Sequence, residues 1–303
     1  MSSTHAPLQA YKPDRKTHVM AILNMTPDSF SDGGVHTPSD PSSLAETIRS
    51  VIAAGATMLD VGGQSTAPHR PQVSEEEELS RVLPAIALIR SLPEGQNVII
   101  SVDTYRAGVA EAAVQAGADM INDVSAGTLD PAMLSTMARL GKTVCLMHMR
   151  GTPATMNSLN DYSSDTDGDS GPAGLTGDGL IPGIARELLE RVAAAEAAGI
   201  RRWRIVLDPG LGFAKLGEQN LSILRHLHEL RSWPGLQGLP WLGGSSRKGF
   251  IGRITGVPKP AERIWGTAAT VAAAVEGGAD IVRVHDVREM AQVVTMADAI
   301  WRY

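Results

Sequence analysis

Eight short apolar runs in this chain each end in residues that can donate or accept hydrogen bonds. Asn24 closes the first, Asp60 the second and Asp103 the third. Asn122 and Asp123 close the fourth, His148 the fifth and Asp208 the sixth. The seventh runs into Ser245, Ser246, Arg247 and Lys248, and the eighth into Arg283 and His285. The types divide by chemistry. Asp60, Asp103, Asn122 and Asp208 suit a flat, nitrogen-rich ring, because a carboxylate accepts two parallel N–H bonds and a carboxamide both donates and accepts. Lys248, Arg283 and His285 suit anionic oxygens. Asn24 beside a carboxylate suits Mg2+ that also touches a diphosphate. The set describes a site for a heteroaromatic ring bearing a diphosphate. Any one Asp or Asn alone reads as well as a turn residue or helix N-cap. The convergence of all eight run ends carries the inference.

Something must bring those ends to one place. A helix that stops at Gly, a small residue and an apolar run recur along the chain. Gly55-Ala56-Thr57-Met58-Leu59-Asp60 returns as Gly117-Ala118-Asp119-Met120-Ile121-Asn122 and again as Gly278-Ala279-Asp280-Ile281-Val282-Arg283. Glycine at a helix C-terminus takes the left-handed conformation that stops the helix. Strands are expected at about 18–23, 57–61, 98–102, 119–122, 143–147, 204–207, 240–243 and 281–284. They are apolar without alternation, as strands covered on both faces must be. Helical patterns separate them, most clearly at 75–90. There Ser74 and Glu77 form a capping box, and Leu79, Val82, Leu83, Ile86 and Ile89 make one stripe. Eight strands alternating with helices predict a single-domain α/β fold, a closed (β/α)8 TIM barrel, whose active sites lie at the C-terminal ends of the strands. An open doubly wound sheet is the alternative. No Gly-rich dinucleotide fingerprint follows the first strand to support it.

Composition narrows the class. The 303 residues suit one large α/β domain, with 43% hydrophobic and 20% charged residues. The formal net charge of −6 argues against a nucleic-acid partner. No run is long and apolar enough for a membrane span, and the start of the chain has no apolar signal core, so a cytoplasmic protein is expected. Cys145 is the sole cysteine and lies in an apolar run, which reads as core. Residues 1–17 read as a polar leader or linker remnant and 18–303 as the barrel. Residues 157–180, rich in Ser, Asp, Gly and Thr, read as a flexible insertion. Within it, Asp165–Asp169 lacks the Glu of a calcium loop.

Eight blocks of residues carry a family resemblance. They are Ile22–Gly34, Leu59–Thr66, Ser101–Thr104, Ile121–Val124, Met147–Gly151, Asp208–Lys215, Ser246–Phe250 and Arg283–Val287. In type and order they resemble the dihydropteroate synthases, over about residues 18–303. The resemblance implies a barrel that joins a pterin diphosphate to p-aminobenzoate, with Mg2+ and as a homodimer. It implies a pterin pocket of Asp103, Asn122, Met147, Asp208, Phe213 and Lys248. Asn24, Arg283 and His285 would hold the diphosphate, with Mg2+ on Asn24 and Asp32. Phe30, Thr66, Ser246, Lys248 and Gly249 would meet p-aminobenzoate. Asp60, Asp103, Lys248 and Arg283 would carry the catalysis. It also implies a possible mitochondrial setting, should the chain be part of a fused eukaryotic protein with other folate-pathway domains.

Two positions depart from the family pattern. Ala67 stands where an Arg usually follows Ser-Thr, with Arg70 three positions on, and Gly249 stands where bacterial members often carry Ser. Both bear on p-aminobenzoate more than on the pterin. Three rivals remain at this level: a corrinoid and methylfolate methyltransferase barrel, a Schiff-base aldolase using Lys248, and an inactive pterin-binding module. The first has less use for Lys248, Arg283 and His285. The second is tested by borohydride trapping.

Overall fold

In the computed structural model, residues 15–26, 41–64, 72–163 and 179–302 are described. Eight parallel strands lie among them: β1 (His18–Asn24), β2 (Met58–Gly62), β3 (Ile99–Asp103), β4 (Met120–Asp123), β5 (Thr143–Met147), β6 (Ile205–Asp208), β7 (Leu242–Gly243) and β8 (Ile281–Val284). Their order, β6-β5-β4-β3-β2-β1-β8-β7, follows the chain around a ring. A single bridge between Leu207 and Trp241 joins the two ends, with Leu207 N donating to Pro240 O at 2.9 Å. The result is the TIM-barrel architecture expected. The seventh strand is shorter than the expected 240–243. Pro240 has no N–H to donate to a ladder, which limits regular pairing there.

Helices wrap the outside: α1 (Pro41–Ala53), α2 (Glu75–Ser91), α3 (Ala107–Ala116), α4 (Met133–Leu140), α5 (Leu180–Ala197), α6 (Gly217–Arg225), α7 (Leu227–Ser232), α8 (Gly249–Thr255), α9 (Ile264–Glu276) and α10 (Val287–Trp301). Val82, Ile86 and Ile89 of α2 are buried as the stripe predicts, while Leu79 and Leu83 are half-buried. Only half of the capping box forms. Ser74 Oγ accepts from Glu77 N at 3.1 Å, but Glu77 turns its carboxylate to Arg81. A charged partner one turn on outcompetes a neutral N–H.

The barrel interior explains where the polar residues went. Side chains alternate between inner and outer faces along a strand. Met20, Met58, Met120, Cys145, Val206, Leu242 and Ile281 pack together inside the barrel, with Ile99 against them. That is one residue from each strand, an apolar floor. Two residues further along, the same faces carry Ile22, Asp60, Ser101, Asn122, Met147, Asp208, Gly244 and Arg283. A two-residue step therefore turns the interior from apolar core into polar pocket. A larger aliphatic cluster fills the space between strands and helices.

The end of the expected leader is tied down. Arg15 Nε meets Asp280 Oδ1 at 2.8 Å, and Thr17 N donates to Asp298 Oδ2 at 2.8 Å. Of the expected insertion, 164–178 lie outside the described residues. Met156–Ser158 form one 3-10 turn, and α5 begins at Leu180. Among the described residues, no helix is long and apolar enough to cross a membrane.

One glycine fixes the turn after β6. Gly210 has φ +68°, and a Cβ there would lie 2.0 Å from His148 O. Backbone cannot yield as a flexible side chain can. Gly210→Ala should therefore destabilise by more than about 3 kcal/mol, read as a lower urea midpoint with an unchanged slope. A midpoint within error of the parent would show that the turn relaxes freely.

Candidate active site

Arg283 is the hub of the pocket. It extends from β8 across the mouth, with Nε 2.6 Å from Asp60 Oδ2 and Nη2 2.7 Å from Asp103 Oδ2. Asn122 Nδ2 donates to the same Asp60 oxygen at 3.1 Å. Asp60 is fully buried, and its other oxygen, Oδ1, has no partner. A buried acceptor without a donor is costly, and so marks a place for an incoming N–H or water. Burial pushes the Asp103 carboxyl up to about 7 against the pull of Arg283, with Asp60 and Glu78 adding to the rise. Burial alone would make Arg283 easier to deprotonate, but Asp60 and Asp103 hold it above the ordinary arginine range.

The opposite wall is built from β6 and the segment before α8. Asp208, buried, accepts from Gly210 N at 2.7 Å. Burial raises its carboxyl, while Lys248 and the Gly210 N–H oppose the rise. Lys248 Nζ donates to Leu211 O and stands 4.7 Å from the centre of the Phe213 ring. Burial pulls Lys248 down to about 8, with Asp208 resisting. Gly212, at φ +78°, leaves room for this side chain, since a Cβ would come within 3.0 Å of Lys248 Cδ.

A strained turn aims Lys248. The preceding Arg247 has φ +59°, rare for a side chain of its size. Its guanidinium clasps Asp286 at 3.1 and 2.5 Å, its N donates to Thr267 Oγ1 at 3.1 Å, and its carbonyl accepts from Arg263 at 2.8 Å. Four bonds from three residues hold the conformation. Ser246 and His285 are joined twice, Oγ to Nδ1 at 3.0 Å and His285 N to Oγ at 3.1 Å.

The structure thus brings Asp60, Asp103, Asn122, Met147, Asp208, Phe213, Lys248, Arg283, Ser246 and His285 to one end of the barrel. Asn24 is half-buried on the same rim. A Cβ at Gly62 would sit 3.5 Å from Asn24 Oδ1 and 3.4 Å from Asp103 Cβ, so these two flank one point. Gly249 opens α8 and is exposed. Phe30, Asp32, Thr66, Ala67 and Arg70 lie outside the described residues. The described ends of the second loop do meet: Arg106 donates to Gln64 Oε1 at 3.0 Å and to Val73 O at 2.6 Å. Asp123, at the end of β4, proves to be a turn residue. It accepts from Ser125 N and Oγ and from Gly127 N, each at 2.7 Å. Among the described residues, no group of three His, Cys, Asp or Glu could hold a metal ion.

Sequence reasoning gave no role to Lys215, left His148 open and missed Glu187. All three form one hydrogen-bonded chain behind Phe213. The available signal was a lysine placed among Gly, Phe and Ala in the block after β6.

Carboxylates, an amide and cations gathered at the strand ends of an eight-stranded barrel are the parts of a small-molecule site. The pterin binding enzyme family matches residues 20–285. The folic acid synthesis protein fol1 of Pneumocystis carinii is 48% identical over 94% of this chain. The chain spans only 36% of that relative's length. The dihydropteroate synthase of Synechocystis is 46% identical, over 95% of this chain and 91% of its own. The Yersinia pestis dihydropteroate synthase, solved with a sulfonamide drug complex, superposes with a TM-score of 0.83. It is 36% identical over 99% of this chain and 98% of its own. The chain belongs to the pterin binding enzyme family and, within it, to the dihydropteroate synthases.

Proposed function

We propose that this chain condenses 6-hydroxymethyl-7,8-dihydropterin diphosphate with p-aminobenzoate, giving 7,8-dihydropteroate and diphosphate in folate biosynthesis. The observation that carries the reading is the Asp60–Arg283–Asp103 bridge facing Asp208 and Lys248 across one pocket. Asp208, Asn122 and Asp103 accept the N–H edge of the pterin, and Met147 and Phe213 pack on its faces. Arg283 spends Nε and Nη2 on the two carboxylates, so the diphosphate meets the guanidinium from its Nη1 side, with His285 beside it.

An aromatic amine with a para carboxylate is a weak nucleophile, so the methylene C–O bond breaks early and its electron pair leaves with the diphosphate. Asp60 and Asp103 stabilise the pterin-methylene cation, whose charge spreads into the ring. The amine lone pair then forms the C–N bond, and the amine proton passes to solvent. The carboxylate of p-aminobenzoate meets Ser246, Lys248 and Gly249, with Phe30 and Thr66 closing over it.

Asn24 brings a hard amide oxygen to the rim, a donor that fits Mg2+ taken with substrate phosphates. Asn24 and Asp32 would hold the ion, which when bound supplies charge neutralisation to the diphosphate. We place the protein in the cytosol, or in the mitochondrion if it is part of a longer fused protein. Ile254 and Trp265, 58% and 85% exposed on α8 and α9, fit a homodimer through the outer helices. Sedimentation showing a monomer at micromolar concentration would remove that assignment.

Diphosphate release, followed with and without p-aminobenzoate, tests the reading. Release that needs p-aminobenzoate and yields dihydropteroate supports it. Binding of the pterin diphosphate without turnover points to Ala67 and an inactive module, and no binding at all overturns it.

A pH dependence follows from the same pocket. Asp103 must be ionised, and its anion is lost as pH falls through about 7. Lys248 must be charged, and its ammonium is lost as pH rises through about 8. The kcat/KM profile should be a narrow bell between the two. Asp103→Asn should flatten the enzyme's acid limb, and Lys248→Arg should move the basic limb upward. Limbs that stay in place in both variants would assign them to the substrate.

A further inference from the structure

The Lys215 side chain lies behind the pocket wall, only 3% exposed. Its Nζ is 2.8 Å from His148 Nδ1, 3.4 Å from His148 O and 2.8 Å from Phe213 O. These are three neighbours for three N–H groups. An ammonium has donors only, so His148 Nδ1 must be the acceptor. The imidazole proton then sits on Nε2, where Glu187 Oε2 accepts it at 3.0 Å. Glu187 is fixed in turn by Arg150, at 2.8 and 2.5 Å through Oε1, and Arg150 stacks 3.8 Å above the Tyr162 ring. Tyr162 OH donates to Ala214 O at 3.3 Å, returning the chain of contacts to the same loop.

The directions for His148 and Glu187 agree with this wiring, while that of Lys215 runs against its ammonium. Burial, and then Lys215, hold His148 down at about 4, so its ring is neutral. Burial would raise Glu187, but its bonds from His148 and Arg150 bring it to about 2. Burial pulls Lys215 down to about 7. The single proton order that satisfies every atom is carboxylate, Nε2–H imidazole, ammonium.

The loop so held is the one that forms the pterin wall. Ala214 has φ +50°, an unfavourable value for a residue with a Cβ. Lys215 pins the carbonyl on one side of it and Tyr162 the carbonyl of Ala214 itself. Phe213, whose ring sits under Lys248, is thus set by a bond to its own carbonyl.

We propose that Lys215, with His148 locked as the Nε2–H tautomer by Glu187, is a positioning residue that presents Phe213 to the pterin ring. The proposal rests on the function given above but concerns only one substrate. Lys215→Met keeps the volume and removes the donors. It should raise both the Kd and KM for the pterin diphosphate roughly tenfold, while the p-aminobenzoate KM changes by less than about twofold. A variant that melts lower but keeps its pterin affinity would show a purely structural lysine and overturn the proposal. Nitrogen NMR of the histidine rings in the unmodified protein decides the matter independently, even if the variant fails to fold. A protonated Nε2 at His148 upholds the wiring, and a protonated Nδ1 overturns it. Neither the binding measurement nor the spectrum requires turnover, so failure of the condensation itself would be seen separately.

Discussion

Arg283→Met should lower kcat/KM by on the order of a thousandfold, with most of the loss in kcat. The arginine does two jobs at once. Its charge faces the departing diphosphate, and its Nε and Nη2 hold Asp60 and Asp103 in place. Without it, two buried carboxyls face each other with no counter-ion, and at least one takes up a proton. The pocket then loses the negative charge meant for the pterin cation as well as the positive charge meant for diphosphate. Arg283→Lys should recover little, since an ammonium lacks the fork that spans two carboxylates. Steady-state kinetics beside a melting curve separate catalysis from folding. Activity within about tenfold of the parent in a folded Arg283→Met protein would take the residue off the reaction path.

Asp208→Asn tests the other wall. The carboxamide oxygen can still accept from Gly210 N, so the turn survives. The second oxygen becomes an NH2, which opposes the N–H groups of the pterin instead of accepting from them. The Lys248 ammonium also loses its nearest opposing charge. Pterin diphosphate affinity should fall roughly a hundredfold, measured by calorimetry, while p-aminobenzoate keeps its KM. Equal losses for both substrates would mean that Asp208 shapes the pocket rather than reads the ring.

Much of this arrangement could be read from the chain. Glycines such as Gly55, Gly117 and Gly278 mark where helices stop, and the apolar run after each is short enough to be a buried strand. Once eight strand–helix units are present, the barrel follows, and the polar residues that end the runs gather at its mouth, apart from Asp123, which folds into its own turn, and His148, which lies behind the wall. Pairings across the barrel were less accessible. Arg283 is 223 residues from Asp60 and 180 from Asp103, and which carboxylate it reaches depends on how the strands are staggered. The sequence reading points it at the diphosphate and at catalysis, with no carboxylate partner. The contacts show it also orders the carboxylates.

Local energies hid other features. The positive φ at Arg247 is paid for by Asp286, Thr267 and Arg263, none of them adjacent. Glu77 satisfied the capping-box pattern but preferred the charge of Arg81. Lys215 and His148 looked like two isolated residues, because the loop that joins them exists only after β5 and β6 pair.

The apolar floor has a practical consequence. Cys145 is the only thiol in the chain, enclosed inside the barrel, and burial raises its pKa well above that of a free cysteine. No reagent can reach it while the strands remain paired. The rate at which an alkylating agent modifies the native protein is therefore a clock for the parting of the staves themselves. Any molecule that ties the strand ends together should slow that clock, whether or not it is turned over.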